Sequence, residues 1–242
     1  MTDKLLLKVL VGSRAQNLHT DESDYDYRGV YITPTVHMLS LNHNYKGSHW
    51  LEGKEDQTTY ELQHFLQLAI HCNPTILEVF VAPVVIDVYN GRGETTKQLF
   101  LTSNNEDAQE LRDLFPSVWN PQNAFDAFVG YGLNQRKKLL DDKDKRARKY
   151  AIAYLRTLWN LNSLLTRGTF TLDIIDVNFN KELRELKYGT EKLDVGAIIN
   201  RAEELTAEAR TSLANCSHTP DINKVNDFLL RMREKYWKID SK

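Results

Sequence analysis

Asp24 and Asp26 stand two residues apart where an apolar run, Tyr27 to Ile32, reads as a strand. Alternate residues of a strand share a face, so both carboxylates aim at one spot, roughly 6.6–6.8 Å apart along the chain. At about 4 Å and an effective dielectric near 20, two such charges repel by roughly 4 kcal/mol. A hard divalent cation with oxygen ligands offsets that repulsion, and a proton shared between the two carboxyls is the alternative. Upstream, Gly12-Ser13 forms a turn after a first apolar run, Leu5 to Val11, and a ten-residue spacer separates the turn from the acids. Backbone N–H groups at such a turn can hold phosphate oxygens, and small residues let the phosphate approach closely. Carboxylates opposite can hold a metal that bridges those phosphates. Strand, Gly-Ser turn, spacer and Asp-x-Asp on a second strand together describe a site for a nucleoside triphosphate. The plain alternative is a β-turn-β with solvated acids, in which Ser-Asp and Thr-Asp mark only turns or caps.

These groups need a scaffold. Leu5–Val11 and Tyr25–Ile32 are the first two expected strands, and Pro34 ends the second. His37 to Leu41 suits a short helical turn, and the polar stretch Asn42 to Gly53 reads as a mobile loop. A third strand is expected around Asp56 to Thr59. Apolar residues at 62, 65, 66, 68, 69 and 70 have helical spacing, giving a helix from about Tyr60 to His71. Asn73-Pro74 starts another, to Phe80, with Pro at a first helical position. Val84 to Val88 is β-branched and reads as a further strand. Beyond Gly91 the pattern is helical: Thr95–Thr102, Asn123–Leu140, Lys145–Arg167, Asn180–Tyr188, Val195–Leu213 and Ile222–Lys238. Gly168 and Gly189 fall at helix C-caps, and Asp221 caps a last helix with an apolar stripe of Val225, Phe228, Leu229 and Met232. A catalytic core over 1–115 and a helical domain over 116–242 are expected, with the boundary somewhere in Ser103–Gln122.

The 242 residues are enough for one large or two small domains. At 41% hydrophobic and 26% charged, with a net charge of −2, the composition is that of a soluble globular protein without a global footprint for nucleic acid. No stretch approaches the roughly 20 apolar residues of a membrane span, and the N-terminus lacks a secretory signal pattern. Cys72 and Cys216 lie far apart and suit free thiols, so a cytoplasmic location is expected. Arg136 to Lys149 carries eight Lys or Arg against three Asp. It reads either as a solvated loop between helices or as an edge that contacts phosphates.

The first segment resembles the nucleotidyltransferases of the DNA polymerase β superfamily, with their Gly-Ser, ten-residue spacer and Asp-x-Asp. More narrowly, GSRAxxLxTxxSDYDxRGVYI is similar to the RNA repair pathway DNA polymerase β family. Asp56 to Val81, DQTTYELQHFLQLAIHCNPTILEVFV, resembles that family's second block, and Phe128 to Leu139, Arg148 to Leu158 and the Trp-bearing end resemble its helical blocks. The resemblance implies an α+β fold: a palm-like mixed sheet with helices, then a helical C-terminal domain. It implies two Mg²⁺ (or Mn²⁺) ions on Asp24, Asp26 and a third carboxylate, an NTP substrate, and an RNA or DNA end as a possible acceptor. The second block puts the third carboxylate at Asp56. Glu61 competes for that role, with Glu52 and Glu55 also open, and an Asp in the N-cap region is the structural alternative for Asp56.

Gly12 and Ser13 are expected on triphosphate oxygens. Arg14 and Arg28 flank the acids and suit either phosphate or the neutralisation of Asp21, Glu22 or Asp24. Lys149 and Arg156 match basic positions of a family helix and lie seven residues apart, two turns along one face, so they can reach one phosphate together. Two departures stand out: Asn17 where the family commonly has Gly, and Tyr150 where it more often has His. The seven histidines show no metal-ligand pattern. Tyr131, Tyr150, Tyr154, Trp159 and Trp237 read as core, and Asn73, Pro74 and Glu78 as helix architecture. The leading expectation is transfer of a nucleoside monophosphate from an NTP to a hydroxyl of a nucleic-acid end, a protein or a small molecule. A non-catalytic nucleotide sensor or protein-binding module on the same fold is the rival. Base preference and oligomeric state are not legible in the sequence.

Overall fold

The computed structural model describes residues 3–41, 47–51, 55–89, 95–141 and 146–238. Six strands form one mixed sheet: β1 (Lys4–Val11), β2 (Tyr25–Ile32), β3 (Ser48–Leu51), β4 (Glu55–Glu61), β5 (Val84–Tyr89) and β6 (Thr95–Phe100), in the order β3-β4-β2-β1-β5-β6. The β2–β4 pair is parallel and the other neighbours are antiparallel. β1 and β2 are the apolar runs read in the sequence, and Leu7, Val9, Val30 and Ile32 are all at most 2% exposed. At roughly 1.5–3 kcal/mol for each large aliphatic side chain buried, these residues anchor the strands that carry Gly12 and Asp26.

Between β1 and β2 lies the short α1 (Gly12–Ala15), and after β2 the short α2 (Thr35–Met38). The polar stretch expected to be a loop from Asn42 to Gly53 contains β3, whose Ser48 to Leu51 pair with β4. Residues 42–46 and 52–54 lie outside the described residues. β4 runs to Glu61, so α3 (Leu62–Ile70) starts two residues later than its periodicity suggests. The Glu61 side chain caps it by accepting from Gln63 N. Asn73 caps α4 (Pro74–Val81) by accepting from Thr75 N, with Pro74 opening the helix as expected.

The expected helix Thr95–Thr102 is instead β6. Its residues pair with β5 along the whole strand, from Val84↔Phe100 to Tyr89↔Thr95. The apolar spacing in this stretch is too sparse to decide, and a neighbouring strand edge with unpaired backbone groups overrides it. The stretch Ser103–Gln122 holds two helices, α5 (Glu106–Asp113), capped by Asn105, and α6 (Phe115–Val118). Five longer helices follow: α7 (Pro121–Asp141), α8 (Ala147–Arg167), α9 (Val177–Tyr188), α10 (Val195–Asn215) and α11 (Ile222–Lys235). Gly168 ends α8 in the left-handed region at φ +67°, donating its N–H to Leu164 O. Gly189 follows α9, and the Asp221 side chain caps α11.

The main apolar cluster joins the sheet to helices from both halves of the chain: Phe65 and Leu77 meet Phe128, Leu161, Leu164 and Phe228. A second cluster lies among α8, α9 and α10, where Tyr154, Leu158, Phe179, Leu183 and Ala202 pack, and it takes in Leu18 from the loop between β1 and β2. Among the described residues no helix is long and apolar enough to cross a membrane.

Candidate active site

Gly12 occupies the left-handed region at φ +69° and opens the turn after β1. Val11 is the Cα partner of Asp26, so the turn begins beside that acid. A Cβ built on Gly12 would lie 2.0 Å from Asp26 Oδ2. Hydrogen is the only side chain that leaves room for the carboxylate there, which makes the glycine a seat for the acid as well as a turn residue. Gly12→Ala is expected to cost about 1–2 kcal/mol in backbone strain. It also displaces Asp26, and a misplacement near 1 Å lowers a catalytic rate by about 100-fold. Thermal unfolding and turnover, measured on the same preparation, check both parts.

The turn continues through α1, with Gln16 N donating to Gly12 O and Leu18 N to Ser13 O. Asn17 stands in the left-handed region at φ 55°. Asn accepts that conformation better than most residues, so its replacement of a family glycine keeps the turn. Helix α9 holds the next residues: Arg184 donates to Asn17 O at 3.1 Å and the Tyr188 hydroxyl to His19 O at 3.0 Å. Buried Leu18 anchors the loop in the second apolar cluster. Thr20 and Ser23 bond each other through backbone and hydroxyl groups. Arg14 turns to this loop, donating to Ser23 O and Asp21 O.

Asp24 and Asp26 line a cavity of about 630 Å³ together with Gly12, Ser13 and Arg28, a volume in the range of small-molecule sites. Helices α7 and α8 contribute Tyr131, Lys149 and Arg156 to its lining. Three of the four sequence-read cations, Arg28, Lys149 and Arg156, thus share the cavity with the acids. Arg156 is 6% exposed, donates to Leu172 O at 2.9 Å, and keeps a buried Nε without a partner. Burial pushes its pKa below the usual guanidinium value, with Glu78, Tyr131 and Asp173 acting in the opposite direction. Arg28 is paired as well: Nη1 lies 2.8 Å from Glu78 Oε2 and also donates to Thr75 O. The Tyr131 hydroxyl is raised in pKa by burial and then by Glu78, while Arg28 and Arg156 lower it. These four groups form one electrostatic neighbourhood in the lining. Of the residues singled out in the sequence, only Arg14 among the cations is absent from the cavity lining.

Asp56 is the Cα partner of Asp26 across the parallel β2–β4 pair. Glu61, its competitor, sits at the other end of β4 as the partner of Tyr31. There it is fully buried, 2.7 Å from Arg233 Nη1 of α11, and it does not line the cavity. The lining also includes Lys187, which the sequence analysis does not single out, Glu78, which it reads as helix architecture, and Arg146 from the basic stretch Arg136 to Lys149, for which a phosphate-contacting edge is one of the two readings. Glu78 stands one turn beyond Thr75 on α4, and this spacing on the face toward Arg28 was the available signal. Among the described residues no group of three or more His, Cys, Asp or Glu side chains is gathered for a metal. The Gly12 cradle around Asp26 and the hard oxygens of Asp24 and Asp26 nevertheless fit a divalent cation of the Mg²⁺ type.

The mixed sheet, its Gly-Ser turn facing an Asp-x-Asp, and the helices packed on it define an α+β nucleotidyltransferase fold of the polymerase β superfamily. Over residues 2–232 the sequence matches the RNA repair pathway DNA polymerase beta family, and the chain belongs to that family. No curated protein matches it. Among solved structures it is similar to a nucleotidyltransferase-like protein from Exiguobacterium sibiricum 255-15, at 12% identity and a TM-score of 0.29, over 96% of this chain and 74% of that one.

Proposed function

We propose that the protein transfers a nucleoside monophosphate from an NTP to a hydroxyl acceptor and releases pyrophosphate. The observation that carries this reading is the seat Gly12 makes for Asp26 in a cavity lined by Asp24, Asp26 and the basic residues Lys149 and Arg156. Backbone N–H groups at Gly12 and Ser13 would hold phosphate oxygens. Lys149 and Arg156, joined by Arg146 and Lys187, would take up the negative charge that develops on the leaving pyrophosphate. The orphaned Arg156 Nε offers a donor for that purpose. Arg28 would act through its pair with Glu78, shaping the wall. Asp24, Asp26 and Asp56 would hold Mg²⁺ or Mn²⁺, which when bound polarises phosphoryl oxygens and lowers the pKa of the attacking hydroxyl. In this reading residues 1–115 are the catalytic core and 116–242 a helical domain that supplies these basic residues. Membership of an RNA-repair family supports an RNA or DNA end as acceptor, with a protein or small-molecule hydroxyl as the other acceptor classes. The free thiols of Cys72 and Cys216 suit a cytoplasmic setting.

The test is incubation with labelled NTPs, Mg²⁺ or Mn²⁺, and acceptors of each class. Label transfer with pyrophosphate release is the expected result. NTP in metal should also stabilise the fold by about 2.7 kcal/mol at 100 times its dissociation constant. Stabilisation without turnover on any acceptor supports a nucleotide-sensing module instead.

A further inference from the structure

Asp26 lies inside the β1–β2 ladder, whereas Asp24 precedes the first residue of β2 and stands outside it. The repulsion between two neighbouring carboxylates tends to drive away the one outside the strand. Arg14 grips the chain on both sides of this residue. On one side, Nε and Nη2 donate to the Ser23 carbonyl at 3.0 and 2.7 Å, and Nη2 reaches Asp21 O at 3.2 Å. On the other, the guanidinium carbon lies 4.0 Å from the centroid of the Tyr25 ring, within the range of a cation–π contact. Arg14 itself belongs to α1, the turn that Gly12 and Ser13 open.

We infer that Arg14 is a positioning residue: it holds Asp24 beside Asp26 and ties the metal-binding acid to the phosphate-binding turn, rather than binding phosphate itself. Its planar fork suits this work, since two N–H groups converge on one carbonyl while the flat face covers a ring. Lysine can supply the charge but not both contacts. The inference rests on the proposed reading of Asp24 and Asp26 as metal ligands.

The experiment measures Mn²⁺ affinity by electron paramagnetic resonance on the full chain, for wild type, Arg14→Ala, Arg14→Lys, Asp24→Asn and the Arg14→Ala/Asp24→Asn double variant. NTP affinity at saturating Mn²⁺ and melting temperature are measured alongside. Arg14→Ala should weaken Mn²⁺ binding about tenfold and Arg14→Lys nearly as much. NTP affinity at saturating metal should stay within about twofold. In the Asp24→Asn background, Arg14→Ala should add nothing, an outcome that a general loss of folding does not produce. A ring-removing Tyr25→Leu variant should give a smaller loss of the same kind and guards against poor folding of Arg14→Ala. If Asp24→Asn weakens Mn²⁺ binding but Arg14→Ala does not, the positioning role is overturned and the metal site stands. A fall in NTP affinity as large as that in Mn²⁺ affinity makes Arg14 a phosphate ligand and overturns the role too. Wild type that binds no Mn²⁺ overturns both this inference and the metal-site reading.

Discussion

Asp26→Asn is expected to reduce nucleotidyl transfer by about 100- to 1,000-fold, the scale on which removing one preorganised electrostatic group acts. The substitution keeps the shape of the side chain, so the Gly12 seat still accommodates it. What it removes is the charge that, in the proposed reading, holds a divalent cation against the triphosphate. Asp24→Asn should behave similarly, and the double variant should be scarcely worse than either single one, because groups that act as a unit are strongly non-additive. The stability readout points the other way. Removing one of two neighbouring like charges should leave unfolding in EDTA unchanged or shift it to higher denaturant, whereas a residue kept for the fold would lose stability. Transfer assays paired with chemical denaturation in EDTA therefore separate a functional acid from a structural one. Full activity in Asp26→Asn would end the proposed reading.

The second large effect lies away from the cavity. Arg233→Ala is expected to lower stability by about 3–5 kcal/mol, the cost of leaving a buried charge uncompensated. Glu61 is fully buried and Arg233 mostly so, with contacts of 2.7 and 2.9 Å between them. The same carboxylate caps α3 through Gln63 N, and Arg233 Nη1 also reaches Thr33 O. One ion pair thus joins the end of β4, the start of α3 and the last helix. Adding Glu61→Gln to Arg233→Ala should recover a large part of the loss, since the amide keeps an acceptor for Gln63 N without the charge. Equilibrium unfolding of the three variants measures this. A loss below about 1 kcal/mol, typical of exposed pairs, contradicts the argument.

These two cases mark what local sequence can and cannot convey. Gly12, Ser13, Asp24 and Asp26 can be singled out in the sequence because their types and spacing fall within fifteen residues, between two short apolar runs. Asn73 and Asp221 announced helix starts for the same local reason. In the sequence only the resemblance to a family block favours Asp56 over its competitor Glu61; what lies across from each, Asp26 of β2 and Arg233 of α11, comes from distant parts of the chain. The strand at Thr95–Phe100 was read as a helix because its decisive partner is the neighbouring β5, and pairing between strands outweighs weak spacing. By type and position Arg14 suits either phosphate or the neutralisation of nearby acids, and its carbonyl partners depend on how the loop folds back. Glu78 reads as helix scaffolding in the sequence because its partner Arg28 lies 50 residues away.

The contacts of α11 also set an order of events during biosynthesis. Lys4 of β1 donates to the Tyr236 hydroxyl across 232 residues, the Thr35 hydroxyl donates to Arg233 O across 198, and Arg233 meets Glu61 across 172. A nascent chain that has left the ribosome only as far as β6 already contains the Gly-Ser turn and both aspartates, yet lacks the cation that neutralises Glu61. The sheet therefore waits, incompletely sealed, for the final helix to emerge. Pairings at such separations make folding slow relative to a chain of local contacts. They also leave β1, α2 and the end of β4 without these partners until residues 233 to 236 have been synthesised.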